Sequence, residues 1–176
     1  NLCFLMAPLY HRAMKNVAEV RSKLKIPTIF NLLGPLLNPA NANIQLIGVY
    51  SYEWMLPIAK CLKALKIKKA WVVHGQDGLD EITTTTKTDV IEVNNNKIKR
   101  FTIDPAKLKL RKSKLSYLKG KDSSYNAKQI TNLFSGDLKN IYYKEIVLLN
   151  TAAILVLTNK CNNLKQGIEI AEKNII

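Results

Sequence analysis

Hydrophobic and polar positions change period several times along the chain, and each change marks an element. Over 13–24 the apolar residues Met14, Val17, Ala18 and Leu24 recur at helical spacing, which predicts a helix with one apolar face. The pattern then predicts a strand at 45–50, a helix at 53–65 and a buried strand at 69–73, whose apolar core Ala70 to Val73 runs into a turn. Two more strands follow at 88–93 and 98–103. Asn94-Asn95-Asn96 between them suits a hairpin turn, because asparagine accepts left-handed dihedrals. Helices at 123–134, 142–157 and 163–174 complete the order. The expectation is a mixed α/β fold with a partly antiparallel sheet, and 176 residues with 47% hydrophobic content suffice for one sizeable core in one domain. The apolar stretch from 146 to 157 is interrupted and too short to cross a bilayer.

Arg21 falls on the apolar face of the first helix. A guanidinium aimed at an apolar interior is costly unless an anion meets it, and its planar fork suits a carboxylate held through two parallel hydrogen bonds. Snorkelling to the surface, or pairing with a structural Asp or Glu, are the ordinary alternatives. Downstream, Gly34-Pro35 and Asn38-Pro39 are expected to take the chain out of helical geometry twice within one short loop, first at the glycine. Such a loop either brings bare backbone against a flat ligand or simply connects a helix to a strand.

Asp77-Gly78-Leu79-Asp80-Glu81 follows the buried strand 69–73. Ligands of open α/β sheets gather beyond such strand ends. Mg2+ takes one or two carboxylates together with substrate phosphate oxygens and waters, so Asp80 and Glu81 are metal candidates, against the plainer reading of a solvated acidic turn.

The net charge of +14 admits a nucleic-acid-binding module, with the basic segment 97–121 meeting phosphates. Against it, the charge is overwhelmingly lysine, with arginine only at Arg12, Arg21, Arg100 and Arg111, whereas base-reading sites favour arginine and single-strand platforms need aromatics among the cations. Lysine scattered over solvated faces by compositional drift is the preferred account, so no specific nucleic acid and no membrane is expected as a partner. Cys3, Cys61 and Cys161 are odd in number and lack CxxC spacing, which suggests neither a disulfide framework nor a zinc site; they read as reduced, mostly buried small residues.

The strings LCFLMAPLYHRAMKNVAEVR, TIFNLLGPLLNPAN, LIGVYS and VVHGQDGLDEIT, in that order and followed by Asn150-Thr151-Ala152-Ala153, resemble the C-terminal part of the anthranilate phosphoribosyltransferases. The resemblance covers essentially the whole chain. It implies the nucleoside phosphorylase/phosphoribosyltransferase catalytic fold, a mixed sheet with helices on both faces. It also implies transfer of the phosphoribosyl group of phosphoribosyl pyrophosphate to anthranilate, with release of pyrophosphate, Mg2+ as cofactor and a place in tryptophan biosynthesis. Carried over residue by residue, Arg21 would hold the anthranilate carboxylate, Gly34 and Pro35 would line the slot for its ring, and His11 would stand at the pocket wall or serve as a packing histidine. Asp80 and Glu81 would hold Mg2+, and Asp77 resembles a supporting position.

The family's glycine-rich phosphate-binding loop and N-terminal helical domain have no counterpart in these residues, so a catalytic-domain fragment, inactive by itself, is expected. The complete protein would be a cytoplasmic homodimer. Two departures stand out: Lys25 and Pro27 where the family shows Gly then Arg, and Arg12 where it often shows Pro. A pyrimidine nucleoside phosphorylase, which also breaks a bond to the ribose anomeric carbon, is the alternative enzyme.

Overall fold

The computed structural model describes residues 29–175 together with Cys3, Leu5, Tyr10 and Lys23. The chain divides into two compact units, Asn1–Asn43 and Ile44–Ile176. Of the expected helix over 13–24 only Lys23 is described, and Arg21 lies outside the described residues, as do His11, Arg12, Lys25 and Pro27.

In the first unit, α1 spans Ile29–Leu36 and contains Pro35. This corrects the expected double exit. Gly34 has no positive φ, and the helix runs through both residues. The amide that Pro35 lacks costs one helical bond, while the Leu37 amide still donates to the Leu33 carbonyl at 3.0 Å and carries the turn past it. The single exit comes at Asn38, whose side-chain oxygen accepts from the Ala40 amide at 2.9 Å and whose carbonyl accepts from Asn41 at 3.0 Å.

The second unit is built on a four-stranded sheet of order β1-β2-β3-β4, with β1 at Ile44–Gly48, β2 at Lys69–Gly75, β3 at Thr88–Asn94 and β4 at Lys97–Ile103. β1 and β2 run parallel, while β2/β3 and β3/β4 are antiparallel. Parallel strands need a crossover, supplied here by a 3-10 turn at Tyr52–Trp54 and α2 at Met55–Ala64. The β3–β4 hairpin turns on Asn95 and Asn96, both at positive φ (45° and 66°), the geometry a two-residue hairpin loop demands.

Register explains the two-sided core. Val73, Val90 and Phe101 line up across β2, β3 and β4. That face packs with Trp71, Ile82 and Ile103 against Leu149, Ala153 and Leu157 of α5, which spans Ile141–Leu157. Ala70, Val72, Ile91 and Val93 alternate to the opposite face, where α2 packs with Ile58, Ala59 and Leu62 buried. The sheet is thus covered on both faces, as expected.

Between β4 and α5 lie a 3-10 turn at Pro105–Leu108, α3 at Leu115–Leu118 and α4 at Ser123–Ser135. Arg111 ties this stretch to α5, its guanidinium 2.6 Å from the buried Glu145 and its amide donating to the same carboxylate at 2.9 Å. α6 at Leu164–Asn174 closes the chain against α5. Of the cysteines, only Cys161 is buried; Cys3 and Cys61 are exposed, Cys61 because it sits on the solvent side of α2 beside the buried Leu62. All three are free thiols.

Candidate functional site

The parallel strands β1 and β2 end side by side, and a cleft of ≈ 500 Å³ opens there. Gly48 and Val73 form its floor, the turn Leu79-Asp80-Glu81 one wall, and Tyr143, Ile146, Val147, Asn150 and Thr151 of α5 the other. The cleft therefore lies at the carboxyl ends of parallel strands, where open α/β sheets bind ligands. His74 fastens the two strand ends: its Nδ1 donates to the Val49 carbonyl at 2.8 Å, and the Val49 amide donates to the Val73 carbonyl at 3.0 Å.

Asp77 organises the acidic turn. Its Oδ1 accepts from the Leu79 amide at 3.1 Å, and its Oδ2 accepts from the hydroxyls of Thr83, at 2.7 Å, and Thr85. Gly78 turns the chain at φ 92°, and its amide donates to the Gly75 carbonyl at 2.8 Å. Burial pushes the Asp77 carboxyl up, but the hydrogen bonds from Thr85, Thr83 and Leu79 outweigh it and leave the group below its ordinary 3.8.

A carboxyl with a lowered folded pKa stabilises the fold fully above its unfolded pKa and loses that contribution as pH falls through the folded value. Asp77→Ala is therefore expected to cost about 2 kcal/mol at neutral pH, the scale of hydrogen bonds to a charged group in a partly buried site. As pH falls below about 4 the gap between variant and parent should narrow, and it closes only below the folded pKa. Thermal unfolding at pH 7 and pH 3 measures both, and an equal gap at the two values would contradict the assignment.

Asp80 and Glu81 sit at the mouth of the cleft. Although Glu81 is exposed, the surrounding wall desolvates it in part, and that burial, with the adjacent Asp80 charge added, holds its carboxyl above the usual range. Tyr143 across the cleft is raised by burial and then by Glu81. Among the described residues neither carboxylate of the pair meets a cationic side chain. Two neighbouring carboxylates in that setting could serve as donors to one hard cation, whose charge would offset the burial of Glu81 and the repulsion it feels from Asp80. No group of three or more His, Cys, Asp or Glu side chains gathers among the described residues, so a metal here would draw its remaining ligands from substrate and water.

Two features of this site lie outside the sequence expectations. A Cβ on Gly48 would overlap the carbonyl oxygen and carbon of Asp80 and stand 3.1 Å from its Cα. Asn150 bonds to both backbone groups of Ile82, the residue after Glu81. Gly48 lies within LIGVYS and Asn150 within Asn150-Thr151-Ala152-Ala153, so the strings were visible, whereas their contacts with the acidic turn span more than thirty and more than sixty residues of chain.

Gly34 and Pro35 belong to the first unit, with Gly34 half-buried and Pro35 exposed.

Comparison with known proteins gives one answer. The family model described as "Glycosyl transferase family, a/b domain" matches residues 1–176. An anthranilate phosphoribosyltransferase of Phenylobacterium zucineum is 44% identical over 170 residues, which is 97% of this chain and 50% of that protein. One from Brucella suis biovar 1 is 45% identical over 174 residues, 99% of this chain and again 50% of the relative. Among solved structures, the Saccharomyces cerevisiae anthranilate phosphoribosyltransferase in complex with 4-fluoroanthranilate superposes at TM-score 0.91 and 34% identity, covering 98% of this chain and 50% of that one. The same yeast enzyme in complex with PRPP and Mg gives TM-score 0.89 at 33% identity, with 98% and 49% covered. This chain thus spans about half the length of the proteins it matches. Neither the nucleoside phosphorylase nor the nucleic-acid alternative is favoured by these matches. From the first residue to the last, the chain belongs to the glycosyl transferase family, as its a/b domain.

Proposed function

We propose that this chain is the acceptor- and metal-binding half of an anthranilate phosphoribosyltransferase, which transfers the phosphoribosyl group of phosphoribosyl pyrophosphate to the amino group of anthranilate and releases pyrophosphate. The observation that carries this reading is the acidic pair Asp80-Glu81 at the carboxyl ends of two parallel strands, in a chain matched end to end by enzymes of that name. The yeast structure that holds PRPP and Mg supports the substrate and the metal.

Asp80 and Glu81 would hold Mg2+, which when bound neutralises charge on the departing diphosphate. The attacking aryl amine is already neutral at physiological pH, so the chain has no proton to remove before attack. Its work is to place the acceptor and stabilise the charge that separates. Arg21 would grip the anthranilate carboxylate, Gly34 and Pro35 would line its ring slot as a helical surface rather than a loop, and His11 would stand beside them. The reading extends to tryptophan biosynthesis, a cytoplasmic location and a homodimer for the complete protein. Three free cysteines are in keeping with a reducing compartment.

The test is loss of anthranilate fluorescence in the presence of phosphoribosyl pyrophosphate and Mg2+, with the complete protein. Arg21→Ala should raise the anthranilate KM about 10- to 100-fold, the worth of charge-assisted hydrogen bonds of about 1.5–3 kcal/mol, and leave the phosphoribosyl pyrophosphate KM within about twofold. A complete protein without phosphoribosylation of anthranilate would end the proposal. An unchanged KM in Arg21→Ala would remove that residue from the site.

A further inference from the structure

Ile82 follows the acidic pair directly and is fully buried, yet its backbone is satisfied by a side chain. The Asn150 carboxamide reaches it from α5: its Oδ1 accepts from the Ile82 amide at 3.1 Å, and its Nδ2 donates to the Ile82 carbonyl at 2.9 Å. The same Nδ2 donates to the Ile146 carbonyl one turn earlier at 3.0 Å, which fixes the rotamer. A buried backbone amide and carbonyl both require partners, and here one amide side chain plays the part of a neighbouring strand.

Few side chains can do this. Aspartate offers no donor and would set its charge against the Ile82 carbonyl, leucine satisfies neither group, and serine is too short to span both. The clamp acts next to Glu81, while on the other side the Asp80 carbonyl rests against the bare Cα of Gly48. The backbone that carries the acidic pair is thus held at both ends, by Gly48 on one side and Asn150 on the other.

We propose that Asn150 is a positioning residue for the metal site: by holding both backbone groups of Ile82 it fixes the Asp80 and Glu81 carboxylates in the orientation that one cation can share. This rests on the metal reading given above. Partners of ligand-bearing groups typically govern 10- to 100-fold of metal affinity, so the expected effect is of that order without contact between Asn150 and the cation.

The test uses the complete protein, with Mn2+ as the probe in the presence of pyrophosphate and binding followed by electron paramagnetic resonance. Asn150→Asp should weaken Mn2+ binding about tenfold and speed deuterium uptake in the peptide covering 79–84, while the anthranilate KM stays within about twofold. Asn150→Ser provides the same comparison if the aspartate variant does not fold. Leu157→Ala, which opens a cavity in the core far along α5 from the cleft, should lower stability with Mn2+ affinity unchanged. Faster exchange at 79–84 with Mn2+ affinity kept in both Asn150 variants, while Asp80→Asn weakens it, would overturn the proposal and leave Asn150 a structural clamp. Unchanged Mn2+ affinity in Asp80→Asn itself would instead overturn the metal reading, and the proposal with it.

Discussion

Replacing Gly48 by alanine in the complete protein is expected to lower the proposed Mg2+-dependent turnover by about a hundredfold while the fold is kept. The added Cβ cannot coexist with the Asp80 carbonyl where it stands, and the obstruction is backbone rather than the end of a flexible side chain. Either the acidic turn lifts away from β1 or the strand end bends. Overpacking of this kind costs about 1–3 kcal/mol, which a folded domain survives. A displacement of about 1 Å at a reacting centre, by contrast, can cost about a hundredfold in rate. Steady-state assay alongside thermal unfolding separates the two effects. Full turnover in Gly48→Ala would mean that the position of Asp80 does not matter, and would remove the acidic turn from the catalytic arrangement.

The second large effect is expected from the carboxylates themselves. Asp80→Asn and Glu81→Gln keep shape and remove charge, so the fold should be retained. With Glu81→Gln stability should be unchanged or slightly higher, because burial and the adjacent Asp80 raise the Glu81 pKa and make its charged form a small burden on the folded state near neutral pH. Turnover should fall about 100- to 1000-fold in either variant, the scale of losing one electrostatic stabiliser of a developing charge. The Mg2+ concentration needed for half-activation should rise as well. A drop in turnover with an unchanged Mg2+ requirement would assign the pair to a role other than holding the ion.

The elements of the second unit were largely legible because their signals are local. Strands and helices fall within one or two residues of the pattern, and Asn95-Asn96 forms the turn that asparagine predicts. β2 runs two residues beyond its apolar block because Thr88 and Asp89 of β3 provide ladder partners for Gly75 and His74, a fact about another strand. The helix through Gly34-Pro35 was misread as a loop, since a proline near the last turn of a helix forfeits only one bond, and the chain can leave after it as easily as before it. Asp80 and Glu81 announced themselves by charge and place. Gly48 and Asn150 did not, because what matters in them is a missing atom and a side chain turned toward distant backbone. Neither has a signature in the spacing of apolar residues.

β4 ends the sheet among the described residues, and it does so with Lys97, Lys99 and Arg100 exposed. A border strand ordinarily invites a stray extended segment to dock and propagate, and lysine along it is one of the ways natural sheets refuse the invitation. Three of the chain's many cations, Lys97, Lys99 and Arg100, thus sit where charge opposes edge pairing. Two such borders brought edge to edge would set like charges against each other, which disfavours pairing of β4 with a second copy of itself.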